Sequence, residues 1–244
     1  MHTLQIIFSA SIIFIAIAWL VLKLSPYLVS YFEKEHIRND LEPKEYVPSN
    51  WSSAYLDSQI QAAKILNLIF CGSYFTAKAK SMVKGPMMLY RTECGRASVA
   101  LVSAKIFGAE LKKIEIRTRF TDGTALITSD QGLLPDTTEV VVKSILYKSD
   151  LKTLLDAHVA KLESNAEKVI MVSNENAFQQ LELIEIERAQ RLVSKGYAVW
   201  CDAGQSVIRR TWRGAIRTVQ MNKASANAVI QAEVAKMKQQ QAPK

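Results

Sequence analysis

The first feature of the chain is an apolar run without charged residues, Ile6–Leu22, after which polar residues become frequent. Its length meets the lower limit of about 17 residues for a helix that crosses a bilayer. Trp19 lies near its end, and Tyr27 and Tyr31 follow, as is typical of a membrane–water boundary. The pattern predicts an N-terminal transmembrane anchor over residues 1–25.

Two other interpretations of this run fit the residues less well. A cleaved signal peptide has a basic n-region, whereas Met1–Gln5 contains neither Lys nor Arg. A helix buried in a globular core usually shows a polar stripe, whereas only Ser9 and Ser11 interrupt this one.

The positive charges nearest the run all follow it: Lys23, Lys34, Arg38 and Lys44. By the positive-inside rule, the N-terminus lies outside and the following domain in the cytoplasm. The odd number of cysteines without a CxxC pair fits reduced thiols there. The expected location is the bacterial inner membrane, with a single pass.

Residues 26–50 are interpreted as a juxtamembrane linker, because they carry a charged run and two prolines, Pro43 and Pro48. Residues 51–220 are expected to form a soluble α+β domain, with a subdivision near residue 148 left open. Residues 221–244 are expected to form a basic, partly helical tail.

The central part of the domain favours a β-meander. A helix is predicted after Ser52 or Ser53, followed by strands. Lys112–Phe120 alternates apolar and charged residues, which predicts a strand with one buried and one solvated face. Asp122-Gly123 behind it predicts a two-residue type I′ hairpin. We expect an antiparallel sheet of about four or five strands, with helices on one face.

Helices are predicted from Ser149 or Asp150 and again from Asn174, the second ending before Gly196. A hairpin of Tyr197–Trp200 and Ser206–Thr211 then leads into a final helix. The chain is therefore expected to end in a helix–hairpin–helix segment.

The net charge of +8 is concentrated near the C-terminus. Gln205–Lys244 carries nearly all of the excess, and Glu233 is its single acidic residue. Such a segment favours an anionic partner, which could be inner-leaflet lipid, nucleic acid or an acidic protein.

The segment Leu192–Ala215 resembles the last helix and wing of a winged-helix module. The resemblance implies phosphate contacts by basic side chains of the wing and of the following helix. The alternative is that hairpin and helix complete the domain, with these side chains in water. The candidate anion or partner contacts are Arg209, Arg210, Arg213 and Arg217.

No catalytic constellation is present, so neither catalytic residues nor a cofactor or metal site is predicted. His158 lies on an apolar helical stripe and is interpreted as a core or boundary residue. No His/Cys pair has metal-ligand spacing, and no glycine-rich phosphate loop occurs. Glu182, Glu185 and Glu187 could act as acid and base, although ion pairs on a solvated helix face explain them more simply.

The order of elements resembles a group of uncharacterised bacterial single-span membrane proteins. The shared features are an N-terminal span, a Phe-x-Asp-Gly hairpin at Phe120–Gly123 and a terminal Thr-Trp-Arg-Gly-Ala at Thr211–Ala215. The resemblance implies architecture and membrane location, and no activity.

These features predict a membrane-anchored interaction or scaffold module without catalysis, with the lipid bilayer and a protein partner or anionic lipid as partners. The first alternative is a membrane-tethered nucleic-acid-binding regulator that uses the C-terminal segment. The second is an enzyme with a membrane-proximal substrate.

Overall fold

The structure is a computed structural model that describes residues 18–37, 41–46, 53–76, 83–106, 109–131, 138 and 140–224. The part of the chain it describes contains helices and two sheets, as expected for an α+β protein. The helices are α1 (residues 18–32), α2 (Ser53–Ile65), α3 (Leu151–Leu162), α4 (Ala177–Ser194) and α5 (residues 212–224). The strands are β1 (Lys34–His36), β2 (Leu41–Pro43), β3 (Ile69–Thr76), β4 (Val83–Lys84), β5 (Pro86–Arg91), β6 (Ser98–Ile106), β7 (Ala109–Arg119), β8 (Ala125–Ser129), β9 (Val141–Ile145), β10 (Ala198–Trp200) and β11 (Val207–Arg210).

The prediction of a transmembrane anchor is corrected by the structure. Residues 1–17, which hold most of the predicted span, lie outside the described residues. Among the residues that are described, no helix combines the length and the apolar character needed to cross a bilayer. The predicted single-pass inner-membrane location and the topology that depended on it are overturned by this finding.

The chain divides into two compact units. Unit 1 combines residues 1–36 with residues 192–244, and unit 2 is Ile37–Arg191. Unit 1 is therefore built from the two ends of the sequence.

Unit 2 contains an eight-stranded sheet among its described residues. Its strand order is β2-β3-β5-β6-β7-β8-β9, and β4 pairs with β6. The predicted meander is present from β5 to β8, where every pair is antiparallel. The last pair differs, because β9 runs parallel to β8.

Helices cover both faces of this sheet, which corrects the expected one-sided arrangement. On one face, α2 and α3 bury Leu56 and Leu154 in a cluster with Leu101 and Ile116. On the other face, α4 buries Leu181 in a cluster with Leu89 and Ala100 and Ile184 in a cluster with Ile127. The charged face of β7, predicted to be solvated, therefore lies on the side of the sheet that α4 covers.

The turn between β7 and β8 is present, but its type differs from the prediction. Among Thr121, Asp122 and Gly123, only Gly123 has a positive φ, 79°. A type I′ turn requires positive φ at both central residues, whereas a three-residue loop ends in one left-handed residue. The Asp122 carboxylate accepts a hydrogen bond from the Thr124 N–H (2.9 Å) and so stabilises this loop.

Unit 1 contains a three-stranded sheet with the order β1-β11-β10. The predicted hairpin is confirmed as β10 and β11, which pair antiparallel. Gly196 adopts φ 71° just beyond α4, as expected for a glycine that ends a helix. The helix predicted from Arg213 is confirmed as α5.

Candidate functional site

The four candidate arginines lie on β11 and α5 of unit 1, and the structure separates them into two pairs. β11 is the central strand of its sheet, because β10 pairs with one edge and β1 with the other. Arg209 lies opposite Val199 on β10 and Lys34 on β1. The two arginines of β11 are thus within the sheet and not at the free tip of a wing.

Arg210 forms salt bridges with two acidic residues of unit 1. Its guanidinium nitrogens lie 3.3 Å from a Glu33 carboxylate oxygen and 3.1 Å from a Glu35 carboxylate oxygen. The Arg210 side chain is only 12% exposed. Because two carboxylates already compensate its charge, Arg210 is poorly suited to bind a phosphate from outside.

Arg209 contacts an aromatic side chain. Its guanidinium carbon lies 5.4 Å from the centroid of the Tyr31 ring, and the Trp212 ring packs edge-on against Tyr31 at 5.8 Å. The Arg209 Nε is buried without a hydrogen-bond partner among the described residues. These contacts give Arg209 a packing role between α1 and β11.

The Thr211–Ala215 motif fixes the start of α5. The Gly214 N–H donates to the Thr211 hydroxyl (3.1 Å), and that hydroxyl donates to the Gly196 carbonyl (2.8 Å). The Thr211 N–H donates to the Tyr197 carbonyl (2.9 Å). A Cβ at Gly214 would overlap the same carbonyl oxygen, so glycine allows α5 to approach this close. The motif thus has a structural explanation.

Arg213 and Arg217 form the second pair, and both are exposed on α5. Their guanidinium carbons lie 5.1 Å and 5.7 Å from the centroid of the same ring, that of Tyr197. Neither arginine forms a salt bridge with any residue that the structure describes. We call Arg213, Tyr197 and Arg217 the Tyr197 clamp.

The electrostatics of the Tyr197 clamp are unfavourable in the absence of an anion. Arg213 lies in the first turn of α5, where the helix dipole disfavours a positive charge. Arg217 follows at i+4, so the two like charges repel each other along one helix face. Cation–π contact at an exposed site contributes only about 0.5–1 kcal/mol. The clamp therefore presents positive charge that its described surroundings leave uncompensated.

The other polar groups singled out in the sequence belong to unit 2. His158 is fully buried, with its ring nitrogens 2.9 Å from the hydroxyls of Thr118 and Thr128, which confirms a core histidine. Among the described residues, no group of three His, Cys, Asp or Glu side chains could hold a metal ion.

Two of the three acidic residues of α4, Glu185 and Glu187, form ion pairs with arginines of β7. Glu185 contacts Arg117 (3.6 Å) and Arg188 (3.0 Å), and Glu187 forms a salt bridge with Arg119. The expected i,i+3 ion pair is confirmed between Glu185 and Arg188. The expectation of a solvated helix face is wrong, because Glu185 and Glu187 contact arginines of β7. The carboxylates of Glu185 and Glu187 thus join α4 to β7.

Sequence reasoning missed two parts of the site. Tyr197 follows the glycine that ends α4, and no spacing in the sequence links it to α5. Glu33 and Glu35 lie far from Arg210 along the chain. Nothing in the charged segment that contains them indicated that they would pair with Arg210. Both depend on the fold of unit 1, which joins the two ends of the chain.

Comparisons with known proteins supply no relationship for this site. Comparison with models of protein families finds no match, and neither curated proteins nor solved structures match the chain. The assignment of a function therefore depends on the geometry of the site itself.

Proposed function

We propose that the chain is a non-enzymatic interaction module that docks an acidic protein partner on the Tyr197 clamp. The observation that carries the proposal is the pair Arg213 and Arg217, exposed, held beside one ring and without a salt bridge to the described residues. Arginine and tyrosine are the side chains enriched among the residues that dominate binding energy at protein interfaces.

The energetics favour a partner over a purely structural role. The charges of Arg213 and Arg217 oppose the helix dipole and each other, so they cost α5 some stability. A hydrogen bond to a charged group contributes about 1.5–3 kcal/mol, more than the cation–π contact provides. Carboxylates of a partner that contact Arg213 and Arg217 would therefore offset the repulsion between these two charges and contribute to the binding free energy.

Nucleic acid is the second candidate. The elements α4, β10, β11 and α5 have the helix–hairpin–helix order on which the winged-helix resemblance depends. This order favours nucleic-acid binding. The salt bridges of Arg210 with Glu33 and Glu35 oppose it, because they compensate the charge that a wing would bring to phosphates. The enzyme hypothesis stays a prediction without proposed residues.

Site-specific photo-crosslinking in cells of the source organism tests the proposal. Gln220 is exposed and lies at i+7 from Arg213 and i+3 from Arg217, on the face of α5 that carries the clamp. A photo-reactive residue at position 220 of the full chain should give a discrete protein adduct. The same residue at Lys152, exposed on α3 of unit 2, is the control position.

The adduct should be lost with Arg213→Glu/Arg217→Glu and kept with Arg96→Glu, which reverses an exposed charge of unit 2. An adduct that survives the double reversal would overturn the proposal. A nuclease-sensitive adduct, together with affinity for duplex DNA that falls steeply with salt, would favour the nucleic-acid candidate instead.

A further inference from the structure

We infer that the Tyr197 clamp recognises two carboxylates of its partner that lie 6 to 7 Å apart, about one helical turn, and are held one by each arginine. The inference rests on the proposed function and adds the chemistry of the ligand. It is drawn from the spacing of Arg213 and Arg217 and from the ring that both contact.

Arg213 and Arg217 leave one face of α5 about one turn apart, and both contact the same ring. Residues at i and i+4 of a helix lie on one face, about 6 Å apart along the axis. Both side chains contact the Tyr197 ring, at 5.1 Å and 5.7 Å from its centroid. Ring contact restricts two long side chains before binding, which lowers the entropy cost of ordering them.

A pair of partner carboxylates can match this spacing. Glutamates at i and i+4 of a partner helix are separated by the same rise of about 6 Å. Carboxylates at i and i+2 of an extended strand lie about 6.5–7 Å apart on one face and match as well. Each guanidinium then forms its own bidentate contact with a carboxylate, the geometry for which its planar fork is suited.

A single phosphate group is the competing ligand, because guanidinium groups bind phosphate bidentately too. A phosphoserine has three acceptor oxygens, one fewer than two separate bidentate guanidinium contacts use, whereas two carboxylates supply four. The two arginines therefore favour two carboxylates over one phosphate group.

The test uses labelled, alanine-based helical peptides titrated with the full chain and followed by fluorescence anisotropy at low salt. One peptide carries glutamates at i and i+4, and the second carries them at i and i+2, which places them on different sides of the helix. We expect the first peptide to bind about tenfold more tightly than the second, the difference that one lost charged hydrogen bond produces. A third peptide carries one phosphoserine and a fourth has glutamine at both positions.

A double-mutant cycle assigns the contact to the clamp. Replacing one peptide glutamate by glutamine should cost about tenfold against the native chain and little against the one variant, Arg213→Gln or Arg217→Gln, that lacks the arginine it contacts. Arg96→Gln is the control, an exposed arginine of unit 2. Tyr197→Leu keeps both charges but removes the ring, so it should reduce the preference between the two glutamate spacings.

Equal affinity for the two glutamate spacings, or tighter binding of the phosphoserine peptide, would overturn the inference. The crosslink at position 220 separates this outcome from failure of the proposed function. If the charge-dependent adduct forms while the peptides show no spacing preference, the docking surface stands and the two-carboxylate rule falls. If the adduct does not depend on charge, both fall.

Discussion

His158 lies inside unit 2 with each ring nitrogen 2.9 Å from a threonine hydroxyl, of Thr118 or Thr128. Burial lowers its pKa from 6.5 to about 4, and the positive charge of Lys161 acts in the same direction. The native state therefore holds a neutral imidazole at a pH where the unfolded chain is already protonated. At the scale of the residue, the surroundings determine that this histidine is a structural hydrogen-bonding group.

The first prediction follows from this shift. Because the folded pKa lies below the unfolded pKa, the contribution of His158 is fully present above pH 6.5 and is lost as the pH falls toward 4. The free energy of unfolding should fall by about 3 kcal/mol between pH 7.5 and pH 4 from this group alone. Urea unfolding followed by circular dichroism measures it.

His158→Gln is the control for the titration, since an amide can bond both threonine hydroxyls but does not titrate. The difference in stability between the native chain and this variant should shrink as the pH falls from 7.5 to 4. A difference that does not change with pH would show that His158 is not the titrating group.

Gly214 carries the second prediction at this scale. A Cβ there would overlap the Tyr197 carbonyl, a backbone group that cannot rotate away. Gly214→Ala should lower the stability of unit 1 by about 1–3 kcal/mol, as overpacking does. Tryptophan fluorescence in urea is a suitable readout, because Trp19, Trp200 and Trp212 belong to unit 1.

Gly196→Ala is the matched control, because no atom lies within 4 Å of the added Cβ and only the positive φ opposes it. Gly196→Ala should lower the free energy of unfolding of unit 1 by about 1 kcal/mol. If Gly214→Ala is no more destabilising than Gly196→Ala, α5 does not depend on close approach to the Tyr197 carbonyl.

At the scale of the element, β7 and α4 are joined by charges that the sheet and helix enclose. Glu115 is only 2% exposed and forms salt bridges with Lys113 and Arg117 on its own strand. Burial alone would raise its pKa, but the charges of Arg117 and Lys113 prevail and lower it to about 2. Arg117 also contacts Glu185 of α4 (3.6 Å), so the two elements share one ion-pair network.

The third prediction concerns this network. Glu115→Gln removes the carboxylate but leaves the enclosed Arg117 with less compensation, and such a change costs about 3–5 kcal/mol. Urea unfolding of unit 2 measures the loss. Asp156→Asn breaks the exposed pair with Lys152 and should change the stability of unit 2 very little. Equal losses from the two variants would mean that the β7–α4 network contributes no more than a surface pair.

At the scale of the whole molecule, the two units differ in how they are assembled. Unit 2 is one continuous stretch whose sheet carries helices on both faces, with β6 and β7 at its centre. Unit 1 is discontinuous and joins α1 and β1 from one end of the chain to β10, β11 and α5 from the other.

The fourth prediction is the pattern of hydrogen exchange in unit 2. Amides of β6 and β7 should exchange most slowly, because their strands are paired on both edges and packed on both faces. Amides of the edge strand β2 should exchange many times faster. Mass spectrometry of peptic fragments measures this contrast. Comparable protection of β2 and β7 would contradict the assigned strand order.

Much of the fold was predictable where local pattern suffices. The period of two in Lys112–Phe120 predicted β7, because side-chain period follows directly from backbone geometry. The helix predicted after Ser52 or Ser53 is confirmed as α2. Gly196 marked the end of a helix, and it adopts the positive φ that such an end favours. The transmembrane anchor predicted from Ile6–Leu22 was corrected by the finding that no described helix has the length and apolar character to cross a bilayer.

The sequence by itself determined the identity and order of most strands and helices, because these depend on residues a few positions apart. Only the tertiary structure decided which surfaces meet. It placed α4 over the charged face of β7, aligned β9 parallel to β8, and compensated Arg210 while leaving Arg213 and Arg217 beside Tyr197. The physical reason is that burial and ion pairing depend on residues distant in sequence, whose approach no local period encodes.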